Sequence, residues 1–176
     1  MSITATQTVQ LGSSGPTVPA LGIGTWSWGD SLFWQYGKDY GADEVKQAFD
    51  TAMTAGVNFF DTAEVYGLGE SEKLLGQFMQ ASEQPAIIAT KYFPVPWRVF
   101  ANSVTDALTA SLKRLQVPSI ALYQVHQPFD FLMGQKALLN ALADEVQPAH
   151  RCSQRCGAKE NTASGSPLRE CPAQPK

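Results

Sequence analysis

Cysteine is missing from residues 1–146 of this 176-residue chain, and no stretch has the roughly 18 consecutive apolar residues that a membrane-spanning helix needs. The first residues also lack the basic start and apolar run of a secretory signal. These absences predict a cytoplasmic protein in a reducing compartment, with no membrane partner. The net charge is −3 and no basic stripe is present to displace counterions from phosphates, so we expect no nucleic-acid partner.

Residues 147–176 lack aromatic side chains and contain one large aliphatic residue, Leu168. They hold all three cysteines and five basic residues against two acidic ones, whereas residues 1–146 hold eight basic, fourteen acidic and all eighteen aromatic residues. This contrast predicts a folded segment over 1–146 and a low-order tail over 147–176. The composition of the tail suggests a change of reading frame or a premature junction. The tail cysteines lack a second matching pair, so we predict no metal site.

Four apolar runs recur about every 30 residues in the first segment, and a helical pattern follows each run. The runs begin at Ile23, Val57, Ala86 and Ile120. Because they are continuously apolar, they are typical of parallel strands covered on both faces. Two short stretches on either side of residues 12–15 predict an N-terminal hairpin. The pattern therefore predicts an α/β fold of βα units, in an open sheet or a barrel, that stops after four units.

Each helical pattern carries one apolar stripe, which we expect to face the sheet. The four stripes are Val45, Ala48, Phe49, Ala52 and Met53; Leu74, Leu75, Phe78 and Met79; Val104, Ala107, Leu108, Ser111, Leu112 and Leu115; and Leu138, Leu139, Leu142 and Val146.

Reacting groups of βα folds gather at the carboxyl ends of the strands, where the loops converge. Asp61, Lys91 and His126 follow three consecutive apolar runs, and Tyr66 lies five residues after Asp61. These types suit the reduction of a carbonyl group, which needs a proton for oxygen while a hydride reaches carbon. A phenol, with an ordinary pKa of about 10, becomes a usable acid beside a lysine ammonium. A carboxylate keeps that lysine charged, and a neutral imidazole can orient the substrate oxygen.

Each of these residues also has a structural interpretation. Asp61 can cap a turn, and Tyr66 can be a packed aromatic side chain. Lys91 can extend from the strand end to water, and His126 can be a hydrogen-bonded histidine without a chemical role. These interpretations do not explain four such groups at three consecutive strand ends, so the joint pattern favours a catalytic set.

The same residues resemble motifs of the aldo-keto reductases. The segment from Phe60 to Gly67 resembles the family's Asp-to-Tyr signature, Thr90-Lys91 resembles its lysine strand, and Tyr123 to His126 resembles its histidine strand. Residues 22–26 resemble the first-strand segment that lies against the nicotinamide. Four motifs in this order, within residues 7–146, make the resemblance specific.

The resemblance implies an incomplete (β/α)8 barrel of TIM-barrel type and the NADPH-dependent reduction of aldehydes and ketones to alcohols. It implies that Tyr66 is the acid, that Lys91 and Asp61 tune it, and that His126 orients the small-molecule carbonyl substrate. The implied cofactor-binding residues are Gly24, Thr25, Trp26 and Asp61. The family's other cofactor contacts lie on strands five to eight, and residues 147–176 contain no counterpart. We therefore expect this chain to turn over little or no substrate.

Two further functions stay open: a regulatory module that binds the cofactor without turnover, and an inactive fragment. Half a barrel also has unpaired edge strands, through which we expect the chain to be able to self-associate.

Two local features also allow alternatives. The loop over 27–40 is rich in aromatic residues and, with Phe93 and Trp97, either lines an apolar substrate pocket or forms a lid over the barrel rim. We favour the pocket. Gly22 and Gly24 do not complete a dinucleotide-binding fingerprint, and we expect them to permit close packing.

Overall fold

A short antiparallel hairpin precedes a four-stranded parallel sheet in the computed structural model, which describes residues 7–13, 15–127 and 133–146. The hairpin pairs β1 (Thr8–Gln10) with β2 (Thr17–Pro19). The sheet contains, in spatial order, β3 (Ile23–Gly24), β4 (Phe59–Asp61), β5 (Ile87–Tyr92) and β6 (Leu122–Val125). The helices are α1 (Ala42–Thr54), α2 (Glu70–Gln80), α3 (Asn102–Leu115) and α4 (Gln135–Val146). A helix lies between each pair of consecutive parallel strands, which agrees with the predicted βα units.

The predicted strands are present, but their ends differ from the apolar runs. β3 stops at Gly24 because the chain turns there, with the Trp28 N–H donating to Thr25 O at 3.0 Å. β5 continues beyond Thr90 because Lys91 pairs with Gln124 and the next residue pairs with Val125. The carboxyl ends of β4, β5 and β6 consequently lie side by side.

The main core lies where α1 and α2 cover the sheet. The Phe49 and Phe60 rings stack with centroids 5.0 Å apart, and neither side chain is exposed. Gly76 on α2 permits the close approach of α3, since a Cβ there would lie 2.5 Å from Arg114 O. The apolar area buried at this junction supplies the main driving force for folding.

Three residues of the predicted apolar stripes are not buried against the sheet. Ala48, Leu139 and Val146 are exposed, whereas Ala141 is buried beside Leu138. α4 contacts α3 along the face of Leu138 and Ala141, and Leu139 and Val146 lie on another face of the same helix. The expectation of a buried stripe through those two residues was therefore wrong. The expected tail over 147–176 lies outside the described residues.

Candidate active site

The strand ends bring the four predicted site residues together. Asp61 is the last residue of β4, Lys91 lies near the end of β5, and His126 follows β6. Tyr66 begins a short 3-10 turn over Tyr66–Gly69 that leads into α2. We call Asp61, Tyr66, Lys91 and His126 the strand-end cluster.

Lys91 is the centre of this cluster. Its ammonium donates to Asp61 Oδ2 and to Thr62 O, each at 2.7 Å, and lies 5.0 Å from the centroid of the Tyr66 ring. The Lys91 side chain is 13% exposed, whereas that of Asp61 is 41% exposed. A charged lysine is thus held by a carboxylate on one side and presents its charge to a phenol on the other.

His126 lies against two aromatic rings at the edge of the cluster. Its ring centroid is 5.4 Å from that of Tyr66 and 5.6 Å from that of Phe93, with both pairs close to perpendicular. Burial lowers the pKa of His126, and the positive charge of Lys91 lowers it further, while the charges of Asp61 and Glu64 oppose this shift. The imidazole is consequently neutral at physiological pH.

Buried hydroxyl groups fix the backbone that carries Asp61. The Ser71 hydroxyl lies 2.8 Å from Thr25 Oγ1 and 3.0 Å from Thr62 Oγ1, and it donates to Thr25 O at 2.9 Å. All three side chains are fully buried. The start of α2 is therefore joined to the ends of β3 and β4, which holds the Tyr66 turn beside Lys91.

The first strand leaves room for a flat ligand next to the cluster. A Cβ at Gly24 would meet no heavy atom within 4 Å, whereas one at Gly22 would lie 2.8 Å from the Phe59 ring. The expectation of close packing agrees with the space at Gly22 but not with that at Gly24. Trp26 is 47% exposed, and its ring centroid lies 6.3 Å from that of Tyr66. The nicotinamide end of a cofactor fits beside the open face at Gly24, the accessible indole and the Asp61 carboxylate. The cofactor-binding roles of Gly24, Thr25, Trp26 and Asp61 stay predictions.

The aromatic residues of the first βα loop divide into two groups. Trp28 is buried against the Phe60 and Phe78 rings and belongs to the core. Phe33 and Trp34 are exposed and contact Trp26, at centroid separations of 6.1 and 5.5 Å. We call Trp26, Phe33 and Trp34 the aromatic wall. It continues to Tyr66, so part of this loop faces the candidate site and part of it packs inside the fold.

Two ion pairs near the site were not predicted from the sequence. Glu64, within the segment from Asp61 to Tyr66, pairs with Arg98 of the loop after β5. The fully buried Glu72 on α2 accepts hydrogen bonds from Thr90 Oγ1 and Arg114 Nε, each at 2.6 Å. The position of Glu64 inside the Tyr66 segment was the one sequence feature that could have drawn attention to it.

The described residues contain neither a candidate metal site nor a candidate membrane-spanning helix. No group of three or more His, Cys, Asp or Glu side chains among the described residues could hold a metal ion. No helix within this part of the chain is both long and apolar enough to cross a membrane.

Parallel βα units with ionisable side chains gathered at their carboxyl ends are typical of α/β enzymes, both open sheets and barrels. A family model described as "Aldo/keto reductase family" matches residues 20–146, and the chain belongs to that family.

Individual relatives and solved structures match this chain over only part of their own length. Pyridoxal reductase, chloroplastic, from Arabidopsis thaliana is 38% identical over 120 residues, which are 62% of this chain and 33% of that protein. The thermostable aldo-keto reductase Tm1743, solved with the inhibitor epalrestat, is 29% identical with a TM-score of 0.66 over 80% of this chain and 49% of its own. An aldo-keto reductase from Klebsiella pneumoniae, solved with NADPH, is 26% identical with a TM-score of 0.60 over 74% and 42% of the two chains.

The chain thus spans a third to a half of the length of these relatives. The sequence left two architectures possible, an open sheet and a barrel. The likeness to solved aldo-keto reductases decides for the barrel, of which the described residues form four βα units.

Proposed function

We propose that the strand-end cluster carries out the NADPH-dependent reduction of aldehydes and ketones to alcohols. The observation that carries this proposal is the position of Lys91 Nζ, 2.7 Å from Asp61 Oδ2 and 5.0 Å from the Tyr66 ring centroid. Membership in the aldo/keto reductase family and the NADPH in the Klebsiella pneumoniae structure support the type of reaction and cofactor.

Tyr66 is the proton donor in this reaction. NADPH, when bound, supplies a hydride to the carbonyl carbon. The Tyr66 O–H bond breaks as an O–H bond forms on the substrate oxygen, and the resulting phenolate takes a proton from solvent. The Lys91 ammonium stabilises that phenolate by Coulombic attraction, and Asp61 holds the ammonium in place.

His126 and the aromatic wall position the substrate. A neutral imidazole beside Tyr66 can donate a hydrogen bond to the carbonyl oxygen without competing as a strong acid. Trp26, Phe33 and Trp34 offer exposed aromatic faces next to Tyr66, which suit an aromatic or otherwise apolar aldehyde. Gly24 and Trp26 would hold the nicotinamide end of the cofactor against Asp61.

The test compares the full chain with its Tyr66→Phe variant in the oxidation of NADPH by an aromatic aldehyde, at high protein concentration. We expect a small rate in the full chain, because it spans half or less of its relatives, and a loss of about 100-fold or more in the variant. A chimera of residues 1–146 with the carboxyl-terminal half of the Tm1743 reductase should raise the rate and keep the dependence on Tyr66.

The outcomes separate the proposal from its rivals. Equal rates for the chimera and its Tyr66→Phe variant would contradict the assignment of the proton donor. Tight NADPH binding by both the full chain and the chimera, without turnover by either, would instead favour a regulatory module. Turnover by the chimera and none by the full chain would support the site and trace the difference in activity to the βα units that the chimera adds.

A further inference from the structure

The loop after β5 is tied to the Tyr66 segment by one buried carboxylate. Glu64 Oε1 accepts a hydrogen bond from the Phe93 N–H at 2.6 Å, and Glu64 Oε2 accepts one from Arg98 Nη2 at 2.9 Å. Arg98 Nη1 donates both to Glu64 Oε1 and to Phe93 O, the latter at 2.8 Å. The N–H and the C=O of Phe93 are thus both held by the same ion pair.

The loop needs such a tether because its own backbone offers few hydrogen bonds. Pro94 and Pro96 have no N–H, and the local backbone bonds here are Val95 N–H to Phe93 O and Arg98 N–H to Val95 O. The Glu64 side chain is only 7% exposed and that of Arg98 is 24% exposed, so water competes weakly with this pair. The Arg98 guanidinium also lies 5.0 Å from the Tyr92 ring centroid, which fixes its plane from the other side.

Phe93 connects this tether to the imidazole. Its ring meets that of His126 nearly at right angles, and the His126 backbone N–H donates to Tyr92 O at 2.8 Å. The imidazole therefore rests on two supports, the Tyr66 ring and the Phe93 ring. Because Glu64 and Arg98 bond to the backbone of Phe93, they act on the imidazole through the Phe93 ring.

We propose that Glu64 and Arg98 are positioning residues, which hold Phe93 so that the His126 ring stays against Tyr66. This proposal rests on the proposed function in one respect, since it takes His126 as the residue that orients the substrate. Formation of the ion pair removes two charges from water, which costs free energy, and it fixes the loop next to the site.

The test is nuclear magnetic resonance of the full chain without cofactor, so it does not depend on turnover. The sequence has two histidines, and His126→Gln assigns the ring protons of the remaining one. Ring currents from Tyr66 and Phe93 shift the ring protons of a correctly placed His126. Glu64→Gln and Arg98→Met should move these resonances toward random-coil positions and speed exchange of the Phe93 amide by about tenfold or more.

Arg98→Lys keeps the positive charge but removes the bidentate guanidinium donor. It should shift the His126 resonances and speed Phe93 amide exchange by less than Arg98→Met does. The control is Asp50→Asn, which removes a carboxylate from an exposed ion pair with Lys46 and should change neither reading. Unaltered His126 ring protons together with faster Phe93 exchange would overturn the proposal, because the pair would then secure the loop alone. Wild-type His126 protons already at random-coil positions would overturn it as well.

If Glu64→Gln loses the dispersed spectrum of the folded chain, Arg98→Lys decides the question by the same two readings. A failure of the reductase assay leaves these measurements unaffected. In the active chimera, the positioning role further predicts a lower kcat with an unchanged KM for NADPH in Arg98→Lys.

Discussion

Two neighbouring residues of β5 belong to two different charged networks. Thr90 points to the helix side of the sheet and donates to Glu72, which also accepts a hydrogen bond from Arg114. Lys91 points to the opposite side and pairs with Asp61. Both networks join a carboxylate to a cation at 2.6–2.7 Å, yet Glu72 has no exposed surface while Asp61 is 41% exposed.

We infer that this difference separates a structural ion pair from one that can take part in a reaction. A carboxylate removed from water is stable only while all its partners stay in place, so it cannot change partners during a reaction. Asp61 is exposed to solvent and Lys91 lies against a phenol ring, so their charges can act on a bound molecule. The face of the strand that a side chain occupies therefore decides whether its charge can reach the candidate site.

The largest expected effect is on stability, at the buried network. Glu72→Ala should lower the free energy of unfolding by about 3–5 kcal/mol, because it removes a fully buried carboxylate that accepts hydrogen bonds from both Thr90 and Arg114. Asp61→Ala should cost about 1–2 kcal/mol, since water can reach the vacated site. Urea unfolding followed by circular dichroism measures both, with Glu70→Ala, from an exposed pair on the same helix, as the control. Equal losses for Glu72→Ala and Asp61→Ala would remove the distinction between the two networks.

The second effect is on activity, at the open network. Lys91→Met should reduce aldehyde reduction by the chimera about 100-fold or more, because the phenolate of Tyr66 loses its counter-charge. Lys73→Met removes a lysine from the exposed pair with Glu70 and should leave the rate unchanged. Steady-state NADPH oxidation measures both variants, and an active Lys91→Met protein would show that the ammonium is dispensable.

The third effect is a dependence of stability on pH. The folded chain holds His126 with a pKa below its ordinary value of 6.5, chiefly because of burial, so at mildly acidic pH the unfolded chain binds more protons. The free energy of unfolding should accordingly fall as the pH drops from about 7 toward 5, and this part of the slope is absent above about pH 7. His126→Gln should flatten the slope, whereas His150→Gln should retain it. Thermal melts at a series of pH values test this, and an unchanged slope in His126→Gln would contradict it.

The smallest expected effect concerns substrate choice at the aromatic wall. Trp34→Ala should raise the KM of the chimera for an aromatic aldehyde about three- to tenfold, because a ring contact beside Tyr66 is lost. The KM for a small aliphatic aldehyde should change little. Phe100→Ala removes another exposed aromatic ring, from the loop after β5, and serves as the control. An equal rise for both aldehydes would mean that Trp34 supports the loop rather than the substrate.

Much of the strand-end cluster could be predicted because three of its members occupy the same position relative to a predicted strand. Asp61, Lys91 and His126 each follow an apolar run, and parallel strands bring such positions to one edge. The pairing of Glu64 with Arg98 could not be predicted in this way, because the two residues are 34 positions apart and neither ends a strand. The division of the aromatic loop, with Trp28 inside and Trp34 outside, likewise has no local sequence pattern.

The sequence by itself determined the order of the βα units and the types of side chain at their ends, since both follow from local periodicity and from strand polarity. Only the tertiary structure decided which carboxylate is buried and which is accessible. Burial depends on neighbours from distant parts of the chain: α2 and α3 cover Thr90 and Glu72, whereas Asp61 faces the open side of the sheet. That is why a carboxylate on α2 stabilises the fold and one at the end of β4 is available for chemistry.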